Sequence, residues 1–250
     1  MTIDPVLLLS LGGVGLVAGF VDAIAGGGGL IALPALLSAG IPPISAFGTN
    51  KVQSVIGTGM AAITYWRKGF VALRELLPAI AATWVMSFIG AWLVKSVDTG
   101  FLTLAAPALL ILIALYFALA PRLSDADRHA RLAPALFVPV MGGIIGFYDG
   151  VFGPGTGSFL TVGFVTLFGF GLTRAAGHTK VLNLTSNIGA LTLFIPTGHV
   201  VWPVALAMAA GQFIGGYLGA MTGIRFGARL IRPLVVLVSI AMAVRLLVFR

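Results

Sequence analysis

Gly19-Phe20-Val21-Asp22, followed by Gly26 and Gly28, returns at an offset of 127 residues as Gly146-Phe147-Tyr148-Asp149, followed by Gly153 and Gly155. Ala46-Phe47-Gly48-Thr49-Asn50-Lys51-Val52 returns at an offset of 129 as Ala175-Ala176-Gly177-His178-Thr179-Lys180-Val181. Met86-Ser87-Phe88-Ile89-Gly90 returns at an offset of 125 as Gly211-Gln212-Phe213-Ile214-Gly215. Three blocks in one order at nearly constant offset are poorly explained by chance. The chain reads as two copies of one unit of about 125 residues, and paired repeats of this kind mark secondary transporters.

Composition fixes the solvent. The chain is 59% hydrophobic and 9% charged, against roughly 25% charged residues in soluble domains. Water cannot accommodate that much apolar surface, whereas a bilayer requires it. A net charge of +8 raises nucleic acid as a partner, but the basic residues sit in short loops between apolar runs, which is the cytoplasmic-side bias of membrane proteins. Nucleic acid is therefore not expected. The absence of cysteine excludes disulfides, thiolate metal sites and thiol chemistry. Asp4 precedes the first apolar run and no basic residue does, so residues 5–25 read as a retained span rather than a signal peptide.

Apolar segments fall at about 5–25, 29–44, 52–66, 76–95, 101–120, 133–153, 157–172, 181–195, 200–222 and 231–249. The predicted fold is an all-α polytopic membrane protein of two inverted repeats, about five helical segments each, with broken or re-entrant short helices at the centre. Repeat one covers about 5–120, a cytoplasmic linker 121–132 and repeat two about 133–249, within one transmembrane domain over 1–250. The second and third segments of each copy read as short and interrupted, one by Pro34 and Gly40, its counterpart by Gly169 and Gly171. Such interruptions at matching positions point to discontinuous helices around a central site. Arg67, Lys68 and Arg74, then Arg122, Arg128 and Arg131, then Arg225, Arg229 and Arg232 mark cytoplasmic loops, out of phase between the copies, which places both termini outside. Trp66, Trp84, Trp92, Trp202 and the tyrosines lie largely toward span ends, as an aromatic belt does.

Of seven acidic residues, only the repeat equivalents Asp22 and Asp149 lie at apolar-span ends, where an ionisable group costs at least ~2.5 kcal/mol on insertion scales. They read either as proton-carrying groups coupled to transport or as helix caps. Gly26-Gly27-Gly28-Gly29 and Gly153-Pro154-Gly155-Thr156-Gly157 can expose backbone amides as an anion cradle; close helix packing is the plainer reading. Lys51 and Lys180 each begin an apolar segment, where a lysine opposes the macrodipole unless an anion neutralises it. Snorkelling to the interface is the alternative. Gln53, Ser54, Asn183, Thr185, Ser186 and Asn187 add neutral groups, with Asn183, Ser186 and Asn187 on one helix face. His178 could titrate near neutrality. No metal-ligand spacing and no hydrolase order of residues appear, so neither a cofactor nor an enzyme is expected.

Gly19 to Gly29, Pro34 and Gly48-Thr49-Asn50-Lys51, with their second-half echo, resemble the TauE/SafE family of membrane permeases, the sulfite exporter family, over essentially the whole chain. The resemblance implies a polytopic permease for sulfur-containing or related organic anions such as sulfite, thiosulfate, sulfonates or sulfoacetate. Relatives that handle thiosulfate rely on cysteines, which this chain lacks; His178-Thr179 also replaces Thr49-Asn50 in the second copy. The expected function is a secondary transporter, exporting a small anion by alternating access around a midplane site, in a multi-pass bacterial inner-membrane protein. The candidate substrate-binding residues are Thr49, Asn50, Lys51, Gln53, Gly27, Gly28, Gly155, Thr156, His178, Thr179, Lys180, Asn183 and Asn187, with Asp22 and Asp149 for coupling or capping. An anion channel and a non-transporting scaffold are the rival classes. Partners are the small anion, membrane lipid and, as an open option, a second copy in a homodimer.

Overall fold

A computed structural model describes residues 4–93 and 125–227, with a few positions between 229 and 240. The predicted fifth segment, 101–120, and most of the tenth, 231–249, lie outside the described residues, as do Arg122 and Arg232. Among the described residues all regular structure is helical.

Helix α1, Pro5–Ala25, opens where the Asp4 carboxylate accepts the Val6 N–H at 2.9 Å and Pro5 supplies a preset φ. It closes at Gly26, in the left-handed region at φ 78°, whose N–H donates to the Asp22 carbonyl at 2.8 Å. The chain then doubles back as α2, Gly28–Ser38, 11 residues long, about 16 Å of helix against a hydrocarbon core of about 30 Å. Helices α3, Pro43–Arg67, and α4, Leu73–Leu93, follow. In the second half a 3₁₀ turn, Pro134–Leu136, and a π-helix, Val138–Ile144, lead into α5, Ile145–Val151. Then come α6, Thr156–Thr166, again 11 residues, α7, Leu172–Phe194, and α8, Trp202–Phe226.

Several expectations change here. The third segments are not short: α3 runs 25 residues and α7 runs 23 without a break, because the polar residues ahead of the apolar run are helical too and are sheltered inside the bundle. Pro34 lies within α2 and does not end it; the turn after it comes at Gly40, φ 77°. Segment 133–153 is not one regular span, but widens into π winding with Pro139, which has no N–H, in its first turn. Trp84 lies mid-helix facing outward and Tyr65 is fully buried, which leaves Trp66, Trp92 and Trp202 as the exposed tryptophans near helix ends.

Packing is reciprocal. Helix α1 lies along α8, and the π-helix and α5 lie along α4, so each copy's first helix packs on the other copy's fourth. Both contacts are made by small residues: Gly15 sits on Met208 and Gly19 on Gln212, as Gly142 sits on Ala79 and Gly150 on Ser87. A Cβ at Gly15 would come 2.3 Å from the Met208 carbonyl oxygen. This is close approach of membrane helices through small residues. The equivalent helices α3 and α7 cross antiparallel, with Gly48 beside Phe194, Gly59 beside Leu184, and Tyr65 beside Gly177. The hairpin tips meet between them: a Cβ on Gly26 would lie 2.3 Å from the Gly157 carbonyl carbon, and Ser158 Oγ donates to the Ala25 carbonyl at 2.9 Å.

One face is basic. Arg67, Lys68, Arg74, Arg174 and Arg225 gather there with the linker, whose Arg128 N–H donates to the Gly169 carbonyl at 2.6 Å and Arg131 N–H to the Leu167 carbonyl at 2.8 Å. Arg174 joins this rim through Asp127 at 2.6 Å and Glu75 at 3.9 Å. Helices α1, α4 and α8 are long and apolar enough to cross a membrane, and outward residues such as Leu9, Trp92 and Leu206 are exposed, as a lipid-facing surface requires.

Candidate functional site

Lys51 is the ninth residue of α3, and Lys180 the ninth of α7. Neither begins a helix, so neither opposes its own helix dipole at the N-terminus. Each reaches instead the C-terminal end of the other copy's first helix, where the helix dipole favours a cation. Lys51 Nζ donates to the Asp149 carbonyl at 2.9 Å and to Asp149 Oδ2 at 2.8 Å. Lys180 Nζ donates to the Asp22 carbonyl and lies 3.3 Å from Asp22 Oδ2. Lys51, Lys180 and Asp149 are at most 3% exposed and Asp22 7%. Lysines this deep cannot be snorkelling to the interface.

Each aspartate divides its two oxygens. Oδ1 serves its own copy: Asp22 accepts the Gly28 N–H that opens α2, at 3.1 Å, and Asp149 accepts the Thr156 hydroxyl at 2.7 Å. Oδ2 serves the other copy's lysine. The cap and the ion pair are thus held by one carboxylate. Four opposite charges in a buried cluster sum to zero, the condition under which charges are tolerated in low dielectric.

A small cavity lies at this crossing, bounded by Asp22, Asn50, Lys51, Asp149, Asn183 and Asn187, with Ser54 and the glycines at 26, 29, 153, 155 and 157 completing the wall. Its open volume is about 20 Å³, space for about one water. Gln53 Nε2 holds the Asn50 carboxamide oxygen at 2.6 Å, and Asn187 Nδ2 donates to the Asn183 carbonyl at 2.8 Å. On the basic face a wider depression of about 470 Å³ presents Arg174, Arg225 and Arg229.

Of the residues singled out from sequence, Asp22, Asn50, Lys51, Asp149, Gly155, Asn183 and Asn187 meet at the cavity. Lys180, Gly28, Gln53 and Thr156 stand one hydrogen bond behind it, and Gly27 caps α2. Thr49, His178 and Thr179 are elsewhere. Thr49 Oγ1 accepts the Val201 N–H at the start of α8, at 3.0 Å. His178 Nε2 accepts the Ala72 N–H just ahead of α4, at 3.4 Å, while Nδ1 faces the Arg174 carbonyl at 2.9 Å. These partners fix the Nδ1–H tautomer. The residue two before each lysine therefore fastens the other copy's fourth helix. Thr179 bonds Thr161 at 3.1 Å. Sequence reasoning missed the crossed Lys–Asp pairing, although the signal was present: two lysines and two aspartates, equal in charge, recurring inside apolar spans.

Residues 11–246 match the family model described as Sulfite exporter TauE/SafE. The chain is similar to a probable membrane transporter protein, ORF9, of a Sinorhizobium species, 50% identical over 92% of this chain and 88% of that protein. It is also similar to the probable membrane transporter protein YfcA of Escherichia coli, 46% identical over 98% and 91% of the two chains. A more distant likeness, 25% over 82% of this chain, is to the probable membrane transporter protein YdhB of Bacillus subtilis. No solved structure matches.

Proposed function

The chain belongs to the TauE/SafE family of bacterial integral membrane transporters, and on that premise we propose that it exports a small sulfur-containing anion, such as sulfite, a sulfonate or sulfoacetate, across the inner membrane. The anion binds between the two copies, at the crossing of α3 and α7. Lys51 supplies charge, Asn50, Asn183 and Asn187 supply neutral hydrogen bonds, and the glycine turns bring backbone amides close. A sulfonate spreads its charge over several oxygens, and a lysine among amides suits that distribution. The protein performs no covalent chemistry on its cargo.

One observation carries this reading: among the described residues two fully sheltered lysines each pair with an aspartate of the other copy, and one of them, Lys51, lines a small cavity rather than facing lipid. The antiparallel crossing of α3 and α7 supports an inverted relation of the copies, with the basic face cytoplasmic. In that arrangement rocking one copy against the other opens the cavity to each side in turn. The small volume suits a closed state of such a cycle better than a continuously open channel.

Purified protein in liposomes loaded with sulfite, sulfoacetate, taurine, acetate or sulfate tests it. Saturable flux of at least one sulfur anion, lost in Lys51→Ala, is the expected outcome. Flux that rises linearly with concentration would convert the reading to a channel, and absence of both flux and binding to a scaffold.

A further inference from the structure

The four buried charges of this site already cancel, and an incoming anion would leave them one negative charge in excess. Lys51+ faces Asp149− and Lys180+ faces Asp22−, and Lys51 and both aspartates line a cavity that holds space for about one water. An unpaired charge at membrane depth is among the costliest arrangements a protein can hold. We propose that the anion enters together with one proton, taken up by Asp149, so that the occupied site is again neutral and the protein is an obligate proton–anion cotransporter. This rests on the anion-transport reading of the same site.

Geometry selects Asp149. Its partner Lys51 lines the cavity, while Lys180 does not. An anion in the cavity competes with Asp149 Oδ2 for the Lys51 ammonium, 2.8 Å away. Once displaced, Oδ2 has no other hydrogen-bond donor among the described residues, whereas Oδ1 keeps the Thr156 hydroxyl at 2.7 Å. A proton from bulk water then bonds to Oδ2, the lysine stays charged and hands its hydrogen bonds to the anion, and the new carboxyl O–H becomes a donor toward it. Release runs the same steps backwards: the anion leaves, the proton leaves Oδ2, and Lys51 returns to the carboxylate.

The surroundings offer no competing counter-charge. Beside Asp149, α3 presents Lys51, α5 presents Tyr148 and α6 presents Thr156, while α4 packs the neutral Ser87 and Ala91 against the adjoining Gly150. Across the cavity, α7 presents Asn183 and Asn187, and α1 presents Asp22, which is held by Lys180 and the Gly28 amide. Among the described residues, the two aspartates are the acidic groups at this depth.

Methanesulfonate is a suitable probe because its own acid group stays ionised at all workable pH. Its binding to the full-length protein in detergent is titrated calorimetrically in two buffers of different ionisation enthalpy. The expected difference corresponds to one proton taken up per anion, and Kd rises about tenfold per pH unit on the alkaline side. Asp149→Asn, which keeps the size and the Oδ1 contact, is expected to bind without proton uptake and with a Kd flat in pH. Identical heats in both buffers for the unmodified protein would overturn proton coupling while leaving anion transport standing. Proton uptake that persists in Asp149→Asn would overturn the assignment to Asp149. No heat in either buffer, with no shift in thermal stability, would overturn the transport reading beneath both.

Discussion

Lys51 and Lys180 occupy the same position of equivalent helices, reach the same backbone carbonyl and carboxylate of the opposite copy, and are equally buried. Their neighbourhoods nevertheless differ. Asn50, beside Lys51, lines the cavity, whereas Thr179, beside Lys180, is consumed by Thr161. Lys51 is itself a wall of the cavity and Lys180 is not. The helix starts differ as well. α3 opens on Pro42-Pro43 with no side-chain cap, while α7 opens under the linker: Asp127 accepts the Gly171 N–H at 2.6 Å and Asp125 accepts the Thr173 hydroxyl at 2.7 Å. The crossed ion pairs form a symmetric frame, and the departures from symmetry lie at the cavity and at the helix starts; in the proposed function they give one pair to the ligand and the other to the frame.

The largest effects should come from breaking one member of each pair. Lys51→Ala and Lys180→Ala each leave a buried carboxylate without its cation, at a cost of about 3–5 kcal/mol in stability, read as a lowered thermal midpoint in detergent. Binding should then separate them. Lys51→Ala is expected to weaken anion binding by at least about 1.5 kcal/mol, the size of a charge-assisted hydrogen bond, beyond the loss in Lys180→Ala. Equal binding losses would erase the division of labour. Replacing both Lys51 and Asp149 by apolar residues should recover much of the stability but none of the binding, because a pair removed whole leaves no orphan charge.

Much of this frame was legible in the sequence. The recurrence of Gly19 to Asp22 and of Gly48 to Val52 pointed to two units, and the glycines within it marked the turns now seen at Gly26, Gly153 and Gly155. The pairing of Lys51 with Asp149, 98 residues apart, was not legible, because nothing local to either residue encodes a contact made only when the copies interlock. The same limit misplaced Thr49 and His178. Each sits next to the lysine motif, but one helical turn spreads neighbours around the axis, and residues two before a cavity lysine face a different helix. The length of α3 was hidden for another reason: apolar runs track lipid contact, and the stretch of α3 from Ala46 to Lys51, ahead of its apolar run, meets protein.

Intermediate effects probe where the copies touch. Gly157→Ala places a methyl 2.4 Å from Gly26 Cα, with backbone on both sides. The hairpin tips must separate, at about 1–3 kcal/mol. Gly29→Ala, with its nearest neighbour the Asn50 amide at 3.5 Å, should be tolerated for stability, so the comparison isolates the tip contact from general glycine loss. Thr49→Val removes one hydrogen bond to the start of α8 and should cost about 1 kcal/mol with anion affinity little changed. A large affinity loss in Thr49→Val, in folded protein, would move this residue back into the site.

The smallest effect concerns the asymmetric helix starts. Asp127 is held below the usual carboxylate range, chiefly by accepting the Gly171 N–H; partial burial pushes the other way, and the Arg174 guanidinium beside it adds to the lowering. A carboxylate lowered on folding stabilises the fold above its unfolded value, and that contribution is lost as pH falls through the folded value. Acid below about pH 4 should therefore loosen the linker from α7, while α3, which has no such cap, gives no matching response. The pair is half exposed, so screening keeps the effect small. Thermal midpoints at pH 6 and pH 3 should show a larger acid loss in the unmodified protein than in Asp127→Asn. The asparagine can still accept from Gly171 but does not titrate, so any acid loss shared by both proteins belongs to groups other than Asp127. If the two proteins lose stability equally, the linker is not an acid-sensitive clasp on the second copy, and the asymmetry between the copies lies in the cavity alone.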